Sequence, residues 1–159
     1  MKIRHASLSD LGNLVQAEAV CFPLEEAAGE GLLRARIRAY PNHFWLLYEG
    51  EHLLGYSDGP VTDLPEPSEN LYKRAELHRE NGIWQMIFAL GIMPAYRNHG
   101  LASELLRHVI DTAKAQGRRG VVLICKETQA DFFETFNFKK EKTYPGSDNA
   151  VWALMRLRF

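Results

Sequence analysis

Residues 83–106 read IWQMIFALGIMPAYRNHGLASELL, and the fold turns on how this stretch divides. Its first eleven residues, Ile83 to Met93, are almost continuously apolar and rich in branched and aromatic side chains. A strand with one wet face alternates polar and apolar residues, so this run predicts a strand covered on both faces, at the centre of a sheet. Pro94 closes the run. Beyond Gly100, the residues Leu101, Leu105, Leu106, Val109, Ile110 and Ala113 fall on one helical face, and Gly117 supplies a stop. The stretch is therefore a buried strand, a tight turn at Arg97-Asn98-His99-Gly100, and a long helix.

Outward from it, the pattern alternates between strands and helices. KIRHA makes a first strand, and Ser7 or Ser9 caps a helix carrying Leu11, Leu14, Val15, Glu18 and Ala19 at helical spacing. Pro23 suits the first turn of a second helix, LEEAAGEGLLRARIRAY, which Gly29 and Gly31 weaken. HFWLLYEGEHLLGYSDGPV reads as two strands around Glu49-Gly50-Glu51, where glycine tolerates the positive φ of a hairpin. TDLPEPSEN is a proline-rich loop, and LYKRAELHREN a short helix before Gly82. After the long helix, RGVVLIC is a buried strand, TQADFFETF a short helix, and NFKKEKTY with NAVWALMRLRF a closing antiparallel pair. This order predicts an α/β fold with a mixed sheet, residues 1–159 forming a single domain.

Composition narrows the function classes. At 159 residues the chain can bury roughly 70% of its unfolded surface in one core. Lysine plus arginine total 19 against 20 acidic residues, so no overall field gathers nucleic acid or anionic lipid. No apolar run reaches the roughly 18 residues of a membrane span, and MKIRHASLSD lacks the hydrophobic stretch of a signal peptide, which together point to a cytoplasmic protein. Cys21 and Cys125 form no C-x-x-C pair, so both read as reduced core residues, and no metal site is expected.

A helix start carries N–H groups without intrahelical partners and about half a positive charge, which favours an anion. Gly100 lets a bulky phosphate touch the backbone, Arg97 adds fixed charge, and Asn98 and His99 tolerate the dihedrals of a tight cradle. Ala102 and Ser103 are too small to block it, so the anion this turn suits is a pyrophosphate, the plainer alternative being a solvated turn. Neither G-x-G-x-x-G nor a second glycine followed by Lys and Ser/Thr occurs, which sets NAD and ATP aside.

Arg97 to Ala102 resembles the R/Q-x-x-G-x-G/A signature of the GNAT acyltransferase superfamily, LGIMPAYR resembles that family's strand end, and DFFETFNF its later F-Y-E-x-x-G-F segment. CFPLEE, ELHRENG and AYRNHGLA together resemble the arylalkylamine N-acetyltransferase branch. The resemblance implies a mixed central sheet of about seven strands, splayed between its central parallel strands and flanked by about four helices. It also implies acetyl-CoA as cosubstrate and a small-molecule amine as acceptor. The main chain of Leu90, Gly91 and Ile92 would bind the pantetheine arm and acyl carbonyl. Arg97, Asn98, His99, Gly100, Leu101, Ala102 and Ser103 would cradle the pyrophosphate, and Phe133 would stand on the cofactor side where relatives carry an acidic tyrosine.

Direct attack of an amine on a thioester needs a proton acceptor, an oxyanion donor and a proton donor for the leaving thiolate. Here the chain departs from that branch, because its two central-strand histidines correspond to Met86 and Phe88, and its tyrosine to Phe133. Three residues are the replacement candidates for catalysis: Glu26, beside Glu25 at the amine entrance; His78 in the insertion; and Tyr144, with Tyr96 behind it. Each has a plainer account as a solvated, exposed or cross-strand residue. Arg34, Arg36 and Arg38 read most simply as a solvated face, and Cys125 as an inert buried thiol. Two readings follow, an N-acetyltransferase and a silent acyl-CoA-binding protein, with an interaction module as a third. A free edge in the closing strands leaves room for a homodimer.

Overall fold

The structure, a computed structural model, describes residues 1–146 and 149–159. From the N-terminus, β1 (Lys2–His5) leads into a short turn that Asp10 fastens. Its carboxylate accepts the Ser7 N–H at 2.8 Å and two Arg4 guanidinium bonds at 2.7 and 2.9 Å. The Arg4 bond holds that carboxyl below its usual range. Helix α1 (Leu11–Cys21) follows, then α2 (Glu30–Ala39). The second helix is shorter than the sequence suggests: the N–H groups of Glu26 and Ala27 turn back to the Pro23 carbonyl at 2.9 Å, and an extended Gly29 caps the helix that starts after it. Strands β2 (Phe44–Glu49) and β3 (His52–Asp58) form the expected hairpin, with Gly50 at φ 58°.

Next come β4 (Val61–Thr62) and α3 (Glu69–Lys73). Ser68 caps α3 by accepting the Leu71 N–H at 3.1 Å. The helix ends at Lys73 and only a single tight turn, Ala75–Leu77, continues it, so the expected helix through Asn81 is cut short. The apolar run then makes two strands, β5 (Trp84–Ile87) and β6 (Ala89–Ile92), before α4 (Leu101–Ala115). Strand β7 (Gly120–Lys126), helix α5 (Ala130–Glu134) and strands β8 (Lys139–Pro145) and β9 (Val151–Arg158) complete the chain.

The strands form two sheets, ordered β1-β2-β3-β6 and β4-β5-β7-β9-β8. The described residues thus make nine strands and five helices rather than about seven and four, the extra strands being β4 and the division of the central one. That division has a local cause. Asp58 is the ladder partner of Ala89, yet its carbonyl also accepts the Phe88 N–H at 2.7 Å, so two residues oppose one in a bulge. Before it, β5 runs parallel to β7, from Trp84 opposite Gly120 to Ile87 opposite Leu123. After it, among the described residues, β6 pairs only with β3. The splay expected between the central strands is there.

Helix α4 buries Leu101, Leu105, Leu106, Val109 and Ala113 in the cluster that holds Ile92 and Val121. Helices α1 and α2 bury Leu14, Ala17, Leu33 and Ile37 in the cluster that holds Ala89. The central strand is therefore covered on both faces, as its composition requires. Among the outer strands of the two sheets, β8 carries Lys139, Lys140 and Lys142, charges that oppose pairing with another strand. No described helix is long and apolar enough to cross a membrane.

At the crossing from β3 to β4, a Cβ on Gly59 would lie 1.9 Å from the Met86 carbonyl oxygen. The Gln85 side-chain amide straps this crossing by donating to the carbonyls of Gly59 (2.9 Å) and Met86 (2.7 Å). The clash is with backbone, which no rotamer relieves. Gly59→Ala is expected to lower stability by about 3 kcal/mol or more in urea unfolding, with an unchanged m-value.

Candidate active site

Beyond the bulge, the main chain of β6 alternates between its two edges. Met93 N–H donates to Leu54 at 2.8 Å and the Ala89 carbonyl accepts from the Ser57 hydroxyl at 2.8 Å, so the odd-numbered residues face β3. The main-chain groups of Leu90 and Ile92 therefore face the gap, where β7 has turned away, and those of Gly91 face Tyr56. One of the gap-facing groups is occupied. The Ile92 carbonyl accepts from Arg97 Nε at 2.9 Å and from the Cys21 thiol at 3.4 Å.

The gap ends at the start of α4. Asn98 (φ 66°) and Gly100 (φ 76°) both take left-handed conformations that fold the turn back on itself. Glu104 N–H makes the first helical bond, to Gly100, at 3.1 Å. Among the described residues, the N–H groups of Asn98 to Ser103 have no main-chain acceptor and no side chain caps the helix. A cavity of about 210 Å³ opens over them, lined by Ile92, Tyr96, Arg97, Asn98, Gly100, Leu101, Ala102, Ser103 and Phe132. Arg97 spends only Nε on Ile92, leaving both terminal nitrogens unpaired among the described residues. His99 is exposed outside the lining, and Phe133 lies buried behind Phe132, packed on Phe138.

The proton-moving candidates are not brought together. Glu26 pairs with Lys126 at the end of β7, at 3.3 Å, and Glu25 is exposed. His78 stands beside β4 at the paired end of the sheet: its Nδ1 accepts the Val61 N–H at 2.9 Å, and its Nε2 lies 3.1 Å from Glu80. Burial lowers its pKa, against the pull of Glu80. Tyr144 packs on the same apolar cluster as Met86 and Phe88, with its hydroxyl donating to Glu66 at 3.0 Å. Burial and that bond raise its pKa, and burial pushes the Cys125 thiol up to about 11.

His43, His78 and Glu80 could offer ligand atoms within 4.8 Å of one another, a donor set for a metal that the sequence reading did not anticipate. Hydrogen bonding accounts for these atoms instead. His78 Nδ1 must be unprotonated to accept from Val61, so its proton sits on Nε2, toward Glu80. His43 Nδ1 faces Gln85 Oε1 at 2.9 Å, and Arg118 also bonds Glu80 at 3.1 Å. The group is a filled chain that ends on the Gln85 strap.

A second polar group was missed outright. Arg36, which reads as part of a solvated face, is 1% exposed. It stacks between the rings of Tyr72 and Phe88, with centroids at 4.5 and 5.3 Å, and faces Asp58 at 3.5 Å. Asp58 accepts the Tyr40 hydroxyl at 2.8 Å on one oxygen, while the other, like the Tyr56 hydroxyl, has no partner. Glu18 of α1, 3% exposed, completes the group. Burial, and then the nearby Asp58, push its carboxyl up to about 7. The signal was present in the sequence as a carboxylate on the apolar stripe of a helix.

A family model, Acetyltransferase (GNAT) family, matches residues 11–138. A search of curated proteins returned no match. Among solved structures, the chain is similar to the GphF GNAT-like decarboxylase in complex with isobutyryl-CoA, at 22% identity and TM-score 0.85 over 99% of both chains. It is also similar to the loading GNATL domain of CurA from Lyngbya majuscula, at 20% identity and TM-score 0.86 over 99% of this chain and 96% of that one. A third is the NatC complex bound to Gag peptide and CoA, at 15% identity and TM-score 0.75 over 100% and 99%. These neighbours are diverse, and they lend no support to the arylalkylamine branch in particular.

Glu18 yields a stability prediction. Its folded pKa of about 7 lies above the ordinary 4.5, so its contribution is fully present below 4.5 and lost as pH rises to about 7. The loss amounts to about 3 kcal/mol. Glu18→Gln, which cannot ionise, should unfold at higher urea than the parent at about pH 8, the two converging toward about pH 4.5.

Proposed function

The chain belongs to the GNAT acetyltransferase family, and from that premise we propose that residues 1–159 act as one domain transferring an acetyl group from acetyl-CoA to the amine of a small molecule. One observation carries the reading: the gap-facing N–H groups of Leu90 and Ile92 lead into the open N–H cradle of Asn98 to Ser103. A diphosphate held at the helix start, with Arg97 beside it, would aim an extended thiol arm along that edge. The N–H groups of Leu90 and Ile92 would bind the acyl carbonyl and the oxyanion that forms from it. The acceptor would come from the opposite face, between Phe22, Tyr72 and Phe88, an aromatic rim suited to an arylalkylamine.

A second reading, an acyl-CoA-binding protein without transfer, draws on the buried Met86 and Phe133 and the half-buried Phe88, apolar side chains that move no protons. Calorimetry and turnover separate the two. The parent should bind acetyl-CoA, and Gly100→Glu, which puts a negative charge and a strained side chain into the cradle, should abolish that binding. Thiol release from acetyl-CoA across arylalkylamines, polyamines, amino acids and peptides should be fastest with an aromatic amine. Binding without release for every acceptor would favour the second reading.

A further inference from the structure

Glu18 and Tyr56 have no part in the cradle, yet they stand next to the strand that would hold the thioester. Gly91 has no side chain, and a Cβ there would lie 3.1 and 3.3 Å from Cε1 and Cζ of Tyr56 and 3.4 Å from Cys21 Cβ. The missing side chain lets the hydroxyl-bearing end of Tyr56 sit against β6. That hydroxyl is buried and has no hydrogen-bond partner of good geometry, although it lies beside Glu18. A buried phenol without a partner costs stability, so the structure holds a proton carrier that its own side chains do not use.

The charge balance points the same way. Around Glu18 stand the N–H of Ala28, the Cys21 thiol on its own helix, Arg36 of α2, Tyr56 and Asp58 of β3, and Tyr72. Two buried carboxylates thus share one guanidinium. Asp58 holds Arg36 at 3.5 Å and takes the Tyr40 hydroxyl, whereas Glu18 has the weaker claim on the cation. Glu18 is the member of the pair free to gain and lose a proton. Nearby, half-buried Phe22 meets the Tyr56 ring edge-on, and half-buried Tyr72 and Phe88 pack on each other.

On the acyl-transfer reading above, we infer that Glu18 is the proton acceptor of the reaction, reached from the acceptor ammonium through the Tyr56 hydroxyl. The ammonium gives one proton to the phenol oxygen as the phenol passes its own to the Glu18 carboxylate. The neutral amine attacks the thioester carbon, the C–N bond forms and the C–S bond breaks. The departing thiolate takes the second amine proton, and Glu18 returns the first to water. Products are the amide, the free thiol and one proton.

The test is kcat and KM for thiol release against pH for the parent, Glu18→Gln and Tyr56→Phe. The parent should lose activity as pH falls through the titration of Glu18, because the base is then already protonated. Glu18→Gln should lower kcat by about a hundredfold or more and lose that acid limb, with acetyl-CoA binding unchanged. Tyr56→Phe removes a buried hydroxyl without a well-formed hydrogen bond, so it should melt at or above the parent while kcat falls about tenfold or more at unchanged KM. A Glu18→Gln enzyme that keeps the parent's kcat and acid limb overturns the role of Glu18 alone. Parent-like kinetics in Tyr56→Phe overturn the relay. A parent that binds acetyl-CoA yet releases no thiol with any amine overturns the transfer reading and this inference together.

Discussion

The bulge at Phe88 sets the direction of every main-chain group beyond it. With Phe88 and Ala89 both opposite Asp58, the ladder to β3 continues while the ladder to β7 stops, and the amides of Leu90 and Ile92 are left facing a gap. A straight strand would have spent those groups on its neighbour. The arrangement survives because its polar loose ends are tied nearby. Gln85 fastens the crossing below the bulge, and Arg97 and Cys21 occupy the Ile92 carbonyl above it. A buried main chain without partners is expensive, so these straps limit how many groups along β6 are left open.

The Asp58 that receives the bulge on its backbone also anchors the buried charges with its side chain. Arg36, Tyr40 and Glu18 gather around one residue of β3, and Phe88 covers the guanidinium with its ring. Backbone geometry and electrostatics of the site are therefore coupled through a single position. Losing Arg36 would leave the Asp58 carboxylate buried without its cation, whereas losing the Glu18 charge leaves the Arg36–Asp58 pair balanced.

Much of the architecture was legible in the sequence. The continuous apolar run placed the central strand, and the positions from Leu101 to Ala113 placed the long helix. Of the two residues expected to take unusual dihedrals in the turn, Asn98 is left-handed and His99 is not, and Gly100 takes a left-handed conformation as well. What escaped was set by tertiary contacts. Nothing in WQMIFALG marks Phe88 as the bulge, because bulging is a matter of register against β3. Nor does a run of arginines spaced by two show that Arg36 turns inward between two rings contributed by distant segments. The helix expected after Pro23 is shortened for a local reason, the glycine at position 29, which caps it and which the sequence had already flagged.

The pair between Lys126 and Glu26 ties the loose end of β7 to the linker ahead of α2. Both side chains keep contact with solvent, and a partly wet ion pair of this kind holds with no more than about 1 kcal/mol. It is a latch with a weak spring. An incoming cation can exchange places with the lysine at little expense, trading one partner of the carboxylate for another, and dissolved salt loosens the same latch by crowding around both charges. The strength of this tie is thus a property of the surrounding solution as much as of the chain.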